Sequence, residues 1–369
     1  MNRLFRWDQM GLFLLALAAG ILPFAVPEVC AAALREGLTL CSGPLLLSLF
    51  PFLVVSRLLV QCPESDLLAL PFRLAAWGIG IRTPCAARVL CIGFLGGFAP
   101  AASAAAQAVR TGQLTAEEVD ALLPACICSG PSFVVLTVGQ SLLGSAELGV
   151  LLFAAQITAN YLTAALLNRF AGVRSVKPGS AAPASPAPPR LDEILADAAI
   201  TYCKLCGFIL FFRMLAAGAG ALLPAGAGTL CAILLEVCSG CDLASRTGRW
   251  GSLLCCAALS VQGLSVLLQV RTICPPEMTL RPLYRSRLLH LPLSLALFYL
   301  LLPGGEADVF STLPARVLLM RRVPPDCALL VFAVCCMAAC TLRSGIRQVE
   351  QKQMARNAGG CCINSKTLL

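Results

Sequence analysis

The sequence predicts an all-α membrane protein that crosses the bilayer several times, and three observations lead there. Mean hydropathy is +0.82, and 58% of the residues are hydrophobic. Only 13% are charged, against roughly 25% in a soluble domain. Apolar runs recur at lengths near the ~20 residues that a helix needs to span hydrocarbon, and none alternates like a membrane barrel strand. The +9 net charge would suggest nucleic acid in a soluble protein. Here the basic residues fall between the apolar runs, where they set topology, so nucleic acid is not an expected partner.

Taken in order, the chain divides into six segments, 1–39, 40–169, 170–193, 194–303, 304–343 and 344–369, with about eight spanning helices and two re-entrant hairpins. Arg3 and Arg6 precede the apolar run 11–27. A signal peptide starts the same way, but no small-x-small cleavage site follows directly and many spans come after. The run therefore reads as a first span, with its N-terminus cytoplasmic. Arg35 and Glu36 mark a short outer loop. The second span, 40–59, carries Pro51, which should kink it, and ends at Arg57 on the inner side. Residues 66–81 are too short and too interrupted to span. With Arg73, Trp77 and Arg82 they read as an interfacial helix.

The stretch 91–107 is apolar but broken at Gly96-Gly97-Phe98-Ala99-Pro100. A break frees backbone groups that hydrocarbon cannot satisfy. With Arg88 before it and Arg110 after it, the stretch reads as a hairpin entering and leaving by the inner face. Thr115 with Glu118 three residues later is a capping box. It opens a span over 121–143 that has its own break at Ser129-Gly130-Pro131-Ser132; 147–167 returns inward. Five prolines between 178 and 189 mark a linker, placed inside by Arg174, Lys177 and Arg190. A span over 195–222 leads out, and a second hairpin turns at Glu236-Val237-Cys238-Ser239-Gly240. The span 253–270 comes back with Gln262-Gly263-Leu264-Ser265 in its middle. Runs 288–302 and 326–342 complete the count, leaving a cytoplasmic C-terminus; Arg321 and Arg322 fall on the wrong side of this topology.

The two halves repeat. Leu49, Phe52, Arg57 and Leu59 coincide with Leu205, Phe208, Arg213 and Leu215. Leu90-Cys91 matches Leu230-Cys231, and Ser129-Gly130-Pro131-Ser132 matches Gln262-Gly263-Leu264-Ser265. Charge gives the halves opposite orientations, the inverted arrangement of many secondary transporters.

Broken helices expose unpaired N–H groups and a partial positive charge, so two hairpin tips meeting at the midplane would form a polar site. The residues expected to line it are Gly96, Gly97, Ser103, Ser129, Gly130, Ser132, Glu236, Ser239, Gln262, Gly263, Ser265 and Gln269. Glu236 is the one carboxylate deep in an apolar run. Such a group must be protonated, paired or cation-bound, which suggests coupling to H+ or Na+; the bland alternative is a protonated Glu hydrogen-bonded to a hairpin backbone. Arg57 and Arg213 are its candidate partners, unless both simply reach for the interface. The expected partners are the bilayer, a small polar solute and, as an open alternative, a second copy of the chain.

Most of the 21 cysteines lie in apolar runs, as small hydrophobes. Cys203/Cys206 reads as packing and Cys238/Cys241 as a weak redox or metal candidate. A single histidine argues against a His metal site or a Ser-His hydrolase. No phosphate-binding loop, paired acids or nucleophile elbow is present. The expectation is no enzyme activity and no bound cofactor.

Several stretches together resemble the YlbJ-type sporulation integral membrane proteins, within the group carrying a nucleoside-recognition, or Gate, domain. They are LFPFLVVSRLLV (49–60), GFLGGFAPAA (93–102), GQLTAEEVDALLPACICSGPSF (112–133), LLEVCSGC (234–241), VQGLSVLLQV (261–270) and RSRLLHLPLS (285–294). The resemblance implies a bacterial cell-membrane protein acting in endospore formation, similar in part to concentrative nucleoside transporters. Its function would be carriage of a nucleoside-like or other small polar solute. The alternative is a non-transporting component of spore envelope or cortex assembly acting through protein partners. The chain departs from the family at Ala101, Ile127, Cys128, Ser239, Leu267 and Leu268, where the family's Gly, Asn, Asn and His are expected.

Overall fold

The computed structural model describes residues 2–61, 65–171 and 191–302. The predicted linker, the last span, the tail, and Arg321 and Arg322 lie outside the described residues. Among the described residues every regular element is helical.

Helix α1 (Asn2–Ala25) meets α2 (Pro27–Ser42) at a bend of 110° between Phe13–Ala25 and Pro27–Ser42. Pro27 suits a first helical position, where no N–H is needed. The expected outer loop at Arg35 and Glu36 is instead the interior of α2. Helix α3 (Pro44–Gln61) continues through Pro51. Two short helices, α4 (Ser65–Leu68) and α5 (Leu70–Gly78), occupy the stretch read as interfacial; Leu70, Leu74 and Trp77 are exposed on α5, and Arg73 lies 5.8 Å from the Trp77 ring centre.

The first hairpin is α6 (Pro84–Gly96) and α7 (Phe98–Arg110). Its limbs fold back on each other: a Cβ on Gly93 would lie 3.2 Å from Cβ of Ala101. That approach needs small side chains, and α7 buries Ala99, Ala101, Ala102, Ala104, Ala105 and Ala106. Helix α8 (Ala116–Cys126) opens on the predicted capping box, with Thr115 Oγ1 accepting from Glu118 N at 3.1 Å and Thr115 N donating to Glu118 Oε2 at 3.1 Å. After a break it continues as a π-helix, Ser132–Leu142, then α9 (Ala146–Ala171). Helix α10 (Leu191–Leu222) leads to the second hairpin, α11 (Ala225–Leu235) and α12 (Val237–Ser245), where a Cβ on Gly240 would lie 2.8 Å from Cα of Ile233. A 3-10 turn, Gly248–Trp250, precedes α13 (Gly251–Val261) and α14 (Gly263–Ile273); α15 (Arg281–Leu301) closes the described chain.

Among the described residues three helical stretches are long and apolar enough to cross a membrane: Ala146–Ala171, Leu191–Leu222 and Gly248–Ile273. The bent pair α1–α2 makes a fourth if taken as one span. The chain is thus a helical membrane protein. Of the other expected spans, 121–143 is divided by a break between α8 and the π-helix, 288–302 is covered as far as Leu301 by the unbroken α15, and 326–342 lies outside the described residues.

Packing between the parts comes in reciprocal pairs. Helix α14 packs on α7 and the π-helix on α12; α15 packs on α8 and α9 on α13; α3 packs on α10 and α9 on α15.

Candidate functional site

Each hairpin tip is seated on the broken helix of its own half. At the first junction Gly97 holds φ +81° and ψ −165°, a region essentially reserved for glycine. A Cβ there would lie 2.7 Å from Gly130 N. At the second junction Gln262 and Gly263 both have positive φ, and a Cβ on Gly263 would lie 2.9 Å from Glu236 N. Gly96, Gly97 and Gly130 therefore gather at one junction, and Glu236 and Gly263 at the other.

At two of these breaks, the start of α12 and the end of α8, the freed groups find side-chain partners within the protein. Glu236 is the N-cap of α12. Its carboxylate accepts from Cys238 N at 2.9 Å, Ser239 N at 2.7 Å and Ser239 Oγ at 2.9 Å, satisfying donors that would otherwise be orphaned in a buried helix start. This is the hairpin-capping role, and it corrects the pairing expected for Glu236. Arg213 pairs instead with Glu36 at 2.8 Å and Arg57 with Asp197 at 2.6 Å. We expect Glu236→Gln to lower stability by about 1–2 kcal/mol, through loss of charge-assisted capping, in a denaturant titration in micelles. A stability equal to wild type would remove the cap from the account.

The carbonyl end of α8 is capped from a distance. Arg287 of α15 donates to Ile127 O at 3.4 Å, Pro124 O at 3.5 Å and Asn160 Oδ1 at 3.2 Å, and Asn160 Nδ2 donates to Ile127 O at 3.4 Å. Beside it lies a buried polar seam. Gln156 Nε2 donates to Ser260 Oγ at 2.9 Å, Ser260 and Ser294 hydroxyls are bonded, and His290 Nε2 meets Gln156 O at 3.2 Å. None of these seam residues was singled out for the site. Their signal was spacing: Gln156, Asn160 and Thr163 share one face of the expected span 147–167, and His290 and Ser294 one face of the expected span 288–302, with Arg287 one turn before them in the basic loop.

A cavity of about 150 Å³ lies between α3, α7, α10 and α14. Arg57, Ser103, Arg110, Asp197, Thr201, Lys204 and Gln269 supply its polar lining, and Phe208 and Ile273 are among its apolar residues. Arg57 is held from three sides: Nε donates to Ser103 Oγ at 3.1 Å, Nη1 to Asp197 Oδ2 at 2.6 Å and Nη2 to Thr201 Oγ1 at 3.2 Å. Gln269 is 2% exposed; its Nε2 donates to Ser265 Oγ at 2.8 Å, and its Oε1 has no partner among the described residues. A buried amide oxygen without a donor is costly. Three cations face one carboxylate, so the cavity is positive overall.

No family model, curated protein or solved structure matches this chain. The geometry must therefore identify the site. Of the twelve predicted residues, Ser103 and Gln269 line the cavity, with Ser265 directly behind Gln269. Gly96, Gly97, Gly130, Glu236 and Gly263 build the junctions, and Ser239 serves the Glu236 cap. Ser129 is buried, Ser132 begins the π-helix, and Gln262 is buried with its Oε1 unpartnered among the described residues. Each hairpin tip packs on a broken span, at the Gly97–Gly130 and Glu236–Gly263 junctions.

Proposed function

We propose that this chain is a multi-pass carrier of the bacterial cell membrane, of the YlbJ-type sporulation family. It is built as two inverted units with both termini cytoplasmic, and it moves a small polar anion through the α3/α7/α10/α14 cavity. The reciprocal packing pairs support the inverted repeat: elements related by the sequence match exchange equivalent contacts. Arg57 and Arg213, aligned by that match, each reach a carboxylate on another helix.

The observation that carries the functional reading is the cavity itself. A restrained guanidinium and two further cations call for a ligand with negative charge. A cavity of about 150 Å³ accepts a molecule the size of benzene. That favours a small anion over a whole nucleoside. Basic residues near the cavity favour an opening on the cytoplasmic side by the positive-inside tendency. With Glu236 engaged as a cap, coupling to H+ or Na+ is a matter for the assay rather than for that residue.

The full-length chain in proteoliposomes tests this. Labelled phosphate, pyruvate and succinate, with uridine as the neutral comparison, are offered under a proton or sodium gradient. We expect uptake of at least one anion in preference to uridine. Arg57→Gln and Gln269→Ala should each reduce that uptake about tenfold or more, as expected when a charged or buried hydrogen-bond partner is lost. Uptake of none of the anions, or uptake indifferent to both substitutions, would sink the reading.

A second reading has an observation of its own. The breaks are closed by backbone against backbone, as in a scaffold rather than a moving gate. In that case the protein supports spore envelope assembly through partners, and Arg57→Gln leaves spore resistance intact.

A further inference from the structure

We infer that Asp197 is a built-in competitor for the anion, occupying Arg57 until solute displaces it; this rests on the cavity being the solute site. The ion pair joins α3 to α10 across the cavity at 2.6 Å. Its two ends are unlike. The Arg57 side chain is 9% exposed, whereas that of Asp197 is 60% exposed. A carboxylate so exposed regains its hydration on release, and pairs of this kind hold weakly.

Arg57 does not depend on Asp197 for its position. Ser103 and Thr201 hold Nε and Nη2, leaving Nη1 as the nitrogen that Asp197 occupies. An incoming anion meets a guanidinium already aimed, and needs only to replace one carboxylate oxygen by another anionic oxygen. The exchange conserves charge at Arg57, so the buried cation is never left bare. It also leaves Asp197, on leaving, in the same cavity as Lys204 and Arg110. Electrostatic competition of this kind discriminates against neutral solutes, which cannot compensate Arg57 if Asp197 departs. Solute binding and the Arg57–Asp197 pair are then mutually exclusive, while the Arg57–Thr201 bond still joins α3 to α10.

The test uses the full-length protein in detergent, with binding of labelled phosphate and succinate measured for wild type, Asp197→Asn and Asp197→Ser. Removing the competitor should tighten the binding of whichever anion wild type binds, by about threefold to tenfold, the scale of a part-exposed ion pair. Anion should also raise the thermal midpoint more in the variants than in wild type, since it restores the charge missing beside Arg57. Anion binding in wild type with equal or weaker binding in both variants overturns the inference and leaves the carrier reading standing. No anion binding in any of the three proteins overturns the carrier reading itself. Failure of both variants to fold, even in excess phosphate, assigns Asp197 to the scaffold and also overturns the inference.

Discussion

Alanine in place of Gly97 is expected to destabilise the protein by on the order of 4 kcal/mol. Two effects combine. The backbone at φ +81° and ψ −165° costs about 1–3 kcal/mol for any residue with a Cβ. The methyl group would lie 2.7 Å from Gly130 N and 3.0 Å from Gly130 Cα, and main-chain atoms cannot turn aside as a side chain does. Overpacking of that kind adds about 1–3 kcal/mol. Gly263→Ala should behave similarly, with φ +70° and three backbone atoms of Leu235 and Glu236 at 2.9 Å. Gly207 provides the control: it lies within α10 and a Cβ there meets nothing within 4 Å, so Gly207→Ala should be neutral or stabilise by up to about 1 kcal/mol. Denaturant titration in mixed micelles compares the three. If all three alanines prove equivalent, the tip-to-span junctions are not what holds each half together.

These junctions also show where sequence reasoning succeeded. Gly96-Gly97, Ser129-Gly130-Pro131, Glu236 and Gln262-Gly263 were visible as interruptions because glycine, proline and polar residues punctuate apolar helices locally. The breaks stand where they were expected. Their company was misjudged, because capping across helices is non-local. Arg287 lies about 160 positions from Ile127, and nothing near either residue announces the other. Read alone, Arg287 belonged to a basic loop; in the fold it is buried. The same limit applies to the cavity. Ser103 and Gln269 were legible as polar residues within apolar runs. Asp197 and Lys204 were not, since they join the cavity only because α10 starts at Leu191 and lays its first turns against α3. The bend between α1 and α2 was missed for another reason. Arg35 and Glu36 signalled a loop by charge, yet Glu36 is retained in a helix by its pairing with Arg213.

Arg287→Ala is expected to cost about 3 kcal/mol or more, and the reason bears on how a broken span survives in a bilayer. The side chain is only 7% exposed, and each of its four hydrogen-bond acceptors, Ile127 O, Pro124 O, Asn160 Oδ1 and Ser286 Oγ, is uncharged. A buried cation usually needs a carboxylate. Here the counter-charge is the carbonyl end of α8, whose aligned peptides carry a partial negative charge. Removing the guanidinium strands the Pro124 carbonyl and Asn160 Oδ1 and leaves Ile127 O with Asn160 Nδ2 alone, at about 1–3 kcal/mol for each group left unsatisfied. Arg287→Lys should lose less, since charge is kept, but a point charge on a single nitrogen cannot span Pro124 O, Ile127 O and Asn160 Oδ1 together. Asn160→Leu should be partly non-additive with Arg287→Ala, by about 1 kcal/mol, because both touch Ile127 O. Full additivity would mean the two caps act separately. An Arg287→Ala protein as stable as wild type would show that the end of α8 has other partners, and the broken span would then owe nothing to the helix that crosses beneath it.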